Sequence, residues 1–236
     1  MARTPIWQTI KRSLITDIAE GRFTTGDRLP TEAQLSGRFG VNRHTVRRAL
    51  SAMAEEGLVH SRRGSGVFVA ASPTDYAIGR RVRFHQNIAA SGRIPEKRVL
   101  SATTQSAGSP EAGALRIGAG DPVLVYDGLS LADGQPIALF QSMFPAERLP
   151  GLGAALHETA SVTEALAACG VKDYTRISTR ITAKEANATQ ALHLQVAEGA
   201  PLLRTDSLNA DPDGTPVEFG RTWFAGDRVT LTVGED

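Results

Sequence analysis

The chain has 236 residues, of which 41% are hydrophobic, 22% charged and 6% aromatic, the composition of a folded globular protein with one large domain or two smaller ones. No apolar run approaches the roughly 18 residues that a membrane helix needs, and the charged N-terminal stretch does not read as a signal peptide, so a cytoplasmic location is expected. Cys169 is the only cysteine, which excludes an intrachain disulfide and argues against a cysteine-built zinc site. The formal net charge of +1 is unevenly divided. Residues 1–70 carry 11 Lys and Arg against 6 Asp and Glu and residues 71–98 carry 6 against 2, whereas residues 99–236 carry 9 against 17. A basic front suits a polyanionic partner, and an acidic rear does not.

Thr4-Pro5 reads as a helix start, followed by Ile6, Ile10, Leu14 and Ile18 at four-residue spacing and by Gly21 as terminator. Thr31 caps a second predicted helix, with Ala33, Leu35 and Phe39 inward and Gly40 at its end. Asn42 caps a third, from Arg43 to about Glu56, whose inward stripe is Val46, Ala49, Leu50 and Met53. Two short β-type runs, "LVHS" and "GVFVA", flank "RRGS" as a hairpin with a basic tip. Three helices with a tight turn before the third, then a basic hairpin, predict a winged helix-turn-helix. Its third helix would offer Arg43, His44, Thr45, Arg47 and Arg48 to the major groove of double-stranded DNA, where arginine can hold a guanine edge with two hydrogen bonds. A solvated basic helix face is the plainer reading of the same residues.

The stretch from "GDRLPTEAQLSGRFGVNRHTVRRAL" to "SRRGSGVFV" resembles the DNA-binding domain of the GntR family of bacterial regulators over nearly all of residues 5–70. That resemblance implies that Arg28 contacts phosphate with Glu32 nearby to orient it, and that Arg43, Thr45 and Arg47 lie at the DNA. It also implies that the wing, with Arg63 near its tip and Gly66, approaches the minor groove.

"AASPTDYAIG" is small, polar and proline-bearing. It reads as a linker over residues 71–79, too short and polar to pack, between a DNA-binding domain at 1–70 and a second domain at 80–236. A short helix from about Phe84 to Ala90, stopped by Gly92, follows Arg80, Arg81 and Arg83, which would bind an anion or form a solvated basic collar. The rear then repeats itself. Leu115, Gly120, Pro122, Asp127 and Leu129 match Leu194, Gly199, Pro201, Asp206 and Leu208 at an offset of 79, and Pro136 and Phe144 match Pro216 and Phe224 at 80. Each copy reads as a helical turn, a corner and a β-hairpin. "SVTEALAACG" is an amphipathic helix capped by Ser161, with Cys169 as a small core residue, and "YTRISTRITA" is a further strand. The expected class is α+β: an antiparallel or mixed sheet with helices on one side and a cleft between the two hairpins for a small ligand.

This layout, with "LADGQPIALFQSMFP" and "DGTPVEFGRTWFAGDR", resembles the UTRA-type effector domain of the HutC subfamily of GntR regulators, a fold similar to chorismate lyase, over about residues 80–234. "RRVRFHQNIAASGR" further resembles members linked to phosphonate uptake and breakdown. In sugar-phosphate-sensing members two arginines grip the phosphate, where this chain has Gly128 and Ser130, and an acidic position is here Phe140, which speaks against a phosphosugar. The positions left for a small anionic effector are Arg83, His85, Ser161, Thr163, Arg176, Arg180, Glu218, Arg221 and Phe224. Ser161 would serve equally as a plain helix cap, and Arg180 and Arg221 as surface ion pairs. The resemblance implies a repressor that binds an inverted-repeat operator as a homodimer and is released by its effector. An enzyme is the alternative that the lyase-like fold raises, but no nucleophile–base pair, metal-ligand cluster or Gly-rich phosphate loop is legible, so neither catalysis nor a cofactor or metal is expected.

Overall fold

The computed structural model describes residues 5–62, 65–70, 73–81, 84–159 and 161–234, which fall into two compact units, Met1–Ser72 and Pro73–Asp236. The first contains α1 (Ile6–Ala19), α2 (Glu32–Phe39), α3 (Arg43–Glu55) and an antiparallel hairpin of β1 (Val59–Arg62) and β2 (Gly66–Val69). Its core joins Ile10 and Leu14 of α1 and Leu35 of α2 to the expected α3 stripe of Val46, Ala49, Leu50 and Met53. Two sequence expectations fail: Ile6 is exposed at the start of α1, and Ala33 is exposed on α2, whose contact with the core is made by buried Leu35 and half-buried Phe39. Buried Asp17 of α1 is paired with Arg22 and Arg38, which neutralises a charge that burial alone would penalise. Thr31 and Gln34 form a reciprocal capping box on α2, and Asn42 accepts the Thr45 backbone N–H at the start of α3.

The second unit opens with β3 (Thr74–Ala77) and α4 (Phe84–Ala90). The segment expected to be a linker is in part a strand: β3 pairs in parallel with β10 (Val229–Thr232), and its alternate residues Thr74 and Tyr76 are buried, with the Tyr76 ring 5.1 Å from that of Phe224. Four residues were too few for the alternation to stand out from a polar, proline-bearing background. Two copies of one motif follow. The first is β4 (Pro95–Ser106), α5 (Ser109–Leu115), β5 (Pro122–Ala132) and β6 (Gln135–Pro145). Then come α6 (Leu152–Thr159) and α7 (Val162–Ala168), and the second copy is β7 (Thr175–Glu185), α8 (Ala188–Leu194), β8 (Pro201–Ala210) and β9 (Pro216–Ala225). The helical turn read in each copy is α5 or α8, and the repeat is longer than the sequence reading by one strand, since β4 and β7 belong to it as well. β4 is an edge strand exposed along most of its length, so no apolar alternation marks it.

The sheet order is β4-β5-β6-β9-β8-β7, antiparallel throughout, with the two copies meeting where β6 pairs β9. Helices cover both faces, not one. Leu124, Tyr126, Phe140 and Phe144 pack against α6 and α7, while the intervening Val123, Val125 and Met143 pack against α5, and Leu129 and Leu131 against α8. α4 lies on the α6–α7 face, its Ile88 buried with Ala138 and Phe224. Arg228 is buried at the seam of the two copies, donating from Nη1 to the carbonyls of Pro136 and Leu194 and from Nη2 to that of Gln195.

Candidate functional site

In the first unit, Arg43, His44, Arg47 and Arg48 are exposed on the first turns of α3. Arg43 and Arg47 stand one turn apart on one face, and His44 and Arg48 on the adjoining one. There the Arg48 guanidinium lies 4.9 Å over the Trp7 ring of α1, a cation–π contact that holds it along the flank. Thr45 is half buried and its hydroxyl donates to Asn42 Oδ1 at 2.9 Å, so part of its polarity is spent on the cap. Glu32 does not orient Arg28. It takes a two-pronged bond from Arg47 instead, Nε and Nη2 donating at 2.9 and 2.8 Å, and that bond holds the Glu32 carboxyl below its ordinary range. Arg28 lies against the wing: it bridges to Phe68, and its Nε is so close to Gly66 that a Cβ there would meet it at 2.7 Å. Gly66 also has φ +111°, a conformation that favours glycine. Arg63 and Arg83 lie outside the described residues.

In the second unit, a cavity of about 450 Å³ opens on the α4–α7 face of the sheet, over the junction of β6 and β9. The structure gathers His85, Ser161, Thr163, Arg176, Glu218 and Phe224 around it, as the sequence reading expected. Arg180 and Arg221 are not there. They stand on the opposite face, around a second cavity: Arg221 because side chains alternate along β9 and it takes the parity opposite to Glu218, Thr222 and Phe224, and Arg180 because the bulge between Arg176 and Ser178 switches the face of β7. Arg81 is also engaged elsewhere, in a two-pronged pair with Asp173 at 2.6 and 2.9 Å.

The floor of the first cavity is a chain of hydrogen bonds. Arg176 Nε donates to Asn209 Oδ1 at 3.3 Å, Asn209 Nδ2 to Glu218 Oε2 at 2.7 Å, and Ser142 Oγ to Glu218 Oε1 at 2.6 Å. Buried Glu218 is thus held by two neutral donors, with a further acceptor position on each oxygen. Ser161 Oγ caps α7 by accepting the Glu164 N–H at 3.4 Å, and Thr163 Oγ1 shares a hydrogen with the Tyr174 hydroxyl at 2.9 Å.

The residue that sequence reasoning missed is Lys97. Its Nζ enters this cavity from β4, 5.1 Å from the Phe140 ring and 5.8 Å from that of Phe84. Burial pushes its ammonium below the ordinary lysine range, with the Glu218 carboxylate opposing the shift. Lys97 pairs with Ser130 across the β4–β5 register, so it brings a cation beside a position where the phosphosugar-sensing pattern has an arginine. The only available signal was its place in β4, a strand with no periodicity to reveal it. At the other such position, Gly128, a Cβ would meet Phe140 Cζ at 2.6 Å and the Arg98 carbonyl at 2.7 Å, so the ring of Phe140 excludes a side chain. Burial, and next the Lys97 charge, holds the His85 imidazole below the usual histidine range.

A winged helix-turn-helix with arginines on its third helix, carried in one chain with a duplicated α+β unit that encloses a polar cavity, defines a DNA-binding transcription regulator with a small-molecule-sensing domain. The sequence model of the gntR family of bacterial regulatory proteins matches residues 7–69, and that of the UTRA domain matches residues 90–230. The chain belongs to the GntR family, in its HutC-type branch with a UTRA effector domain. It is 38% identical over 229 residues to the uncharacterized HTH-type transcriptional regulator RB1450 of Rhizobium meliloti, covering 97% of this chain and 94% of the relative. It is 32% identical to the probable transcriptional regulator PhnF of Escherichia coli K12, covering 89% and 88%. The crystal structure of PhnF from Mycobacterium smegmatis superposes with a TM-score of 0.66 at 27% identity, over 96% of this chain and 99% of that one. Among the described residues no helix is long and apolar enough to cross a membrane.

Proposed function

We propose that the protein is a repressor that binds an inverted-repeat operator as a homodimer and lets it go when a small anionic metabolite enters the β6–β9 cavity. The observation that carries this reading is the charge arrangement in that cavity: Lys97 and Arg176 supply cations to an anionic group, while Glu218 keeps free acceptor positions for a hydroxyl or ammonium. A compact organophosphonate bearing a donor, such as 2-aminoethylphosphonate, has both features. The likeness to the phosphonate-linked branch favours control of phosphonate genes. His85, Ser161, Thr163, Arg176, Glu218 and Phe224 are the proposed effector contacts, with Lys97 added to them. At the operator, Arg43 and Arg47 are the proposed base readers and Arg28 a phosphate contact.

Homodimerisation follows from operator geometry, since one winged helix covers a half-site and a two-fold dimer reads an inverted repeat. The test is a pair of titrations on the full chain. A thermal-shift screen of 2-aminoethylphosphonate, methylphosphonate, phosphate esters and amino-acid catabolites finds the compound that stabilises the fold by mass action, and that compound then lowers operator affinity. Operator DNA must lower effector affinity by the same factor. Stabilisation by an amino-acid catabolite, with none by any phosphonate, assigns the regulator to another catabolic pathway. Light scattering that finds a monomer bound one-to-one to the operator overturns the dimer.

A further inference from the structure

The two copies of the motif place a carboxylate at the same point of the sheet and surround it differently. In the first copy Asp127 accepts from Ser101 Oγ and Gln141 Nε2, both at 3.0 Å. In the second, the same two register positions opposite Asp206 hold Arg180 and Arg221. Asp206 accepts from Arg221 Nε at 2.9 Å and from Arg204 Nη2 at 2.7 Å. Arg204 takes the place that Val125 has in the first copy. Neutral donors satisfy the carboxylate in the first copy, so the fold does not require three arginines around it in the second. One carboxylate offsets one of them, which leaves two positive charges in excess.

These side chains line a cavity of about 450 Å³ on the α5 face of the sheet, the face opposite the β6–β9 cavity. The Arg180 side chain has no ion pair or hydrogen bond among the described residues, and Arg204 Nε is buried without a hydrogen-bond partner among them. The Arg221 guanidinium lies 5.7 Å from the Phe219 ring, which with Asp206 fixes its direction. Ser178 and Thr182 add hydroxyls from β7. We propose that this cavity is a second ligand site, separate from the effector cavity, and that it takes a small oxyanion of the phosphate type. Guanidinium forks match the oxygens of such a group, and an internal carboxylate that already orients two of them lowers the ordering that binding would require.

The proposal does not rest on the effector reading, and the test separates the two. Inorganic phosphate is titrated calorimetrically, at constant ionic strength, into the full-length Lys97→Met chain, whose first cavity lacks its lysine. Saturable binding is expected there. Adding Arg180→Ser and Arg221→Gln, the residues that the first copy uses around its own carboxylate, should raise the Kd at least tenfold. Arg180→Ser by itself, at an exposed position without a partner, should raise it severalfold and serves if the combined variant does not fold. Absence of saturable binding in Lys97→Met, or an unchanged Kd in the arginine variants, overturns the proposal.

Discussion

Arg47 and Glu32 face each other across the helix-turn-helix, the guanidinium of α3 holding both carboxylate oxygens of α2 at 2.9 and 2.8 Å. The pair is exposed, so it adds little to stability. Its consequence is geometric, because it fixes the direction of a side chain that stands one turn from Arg43 on the presented face. Arg47→Ala should weaken operator binding about ten- to hundredfold and relax base preference, the cost of losing a base-reading arginine. Glu32→Gln keeps the arginine and loosens only its clamp, so the loss should be smaller. Fluorescence anisotropy on the operator and its single-base variants measures both. Unchanged affinity in Arg43→Ala as well as Arg47→Ala would refute the recognition face.

Arg28, set against Gly66 of the wing, is expected to act on the phosphate backbone. Arg28→Ala should then weaken specific and nonspecific DNA alike, and reduce the slope of log K against log salt by about 1. A loss confined to the specific operator would instead make it a base reader.

Lys97 should exchange stability for binding. An ammonium held between Phe84 and Phe140 has given up solvation that a thioether does not need. Lys97→Met is expected to raise the melting temperature of the unliganded effector unit by about 2–4 °C, the shift of roughly 1 kcal/mol in a domain of this size. The same variant should lose effector-dependent release while binding operator normally. Retained release in Lys97→Met would remove the lysine from the effector site.

His85 makes the effector unit sensitive to acid. Its folded pKa lies below the ordinary value of 6.5, so the unfolded chain takes up the proton more readily. The associated stability is complete above that ordinary value and is lost as pH falls through the lower folded one. Melting temperature should therefore fall between about pH 7 and pH 5, and His85→Asn should flatten that fall. Lys97 and Glu164 act on the imidazole, Glu218 lines the same cavity, and all three stay in place in this comparison. Identical pH profiles would show that His85 is not the group responsible.

Arg228 joins the β5–β6 hairpin of one copy to the end of α8 in the other through three backbone carbonyls. Arg228→Met leaves those acceptors buried and should cost about 3 kcal/mol or more, read as a shift in the urea midpoint of the second unit without a change in the first. A midpoint shift under a third of that size would mean that water replaces the guanidinium.

Local chemistry was sufficient for the winged helix. The caps at Thr31 and Asn42 and the stripe of Val46, Ala49, Leu50 and Met53 are short-range signals, and they are realised as read. The hairpin repeat was legible for the same reason, since glycine corners and apolar alternation recur at a fixed offset. β3 and β4 were not legible: one is four residues long, and the other is an exposed edge whose partner, not its own side chains, makes it a strand.

The candidate site divides along the same line. Residue types were enough to nominate His85, Ser161, Thr163, Arg176, Glu218 and Phe224, and their sequence separations are bridged by a sheet whose order follows from the repeat. Only the folded sheet decided which arginines share a cavity. One residue of strand parity sends a side chain to the opposite face: Arg221, opposite in parity to Glu218, faces the second cavity, and Arg180, equal in parity to Arg176, reaches it only because a bulge separates the two, while Arg176 joins Lys97 at the first. Parity becomes a location only when the bulge between Arg176 and Ser178 and the register with β8 are set, and both come from long-range pairing that a single strand's sequence does not contain.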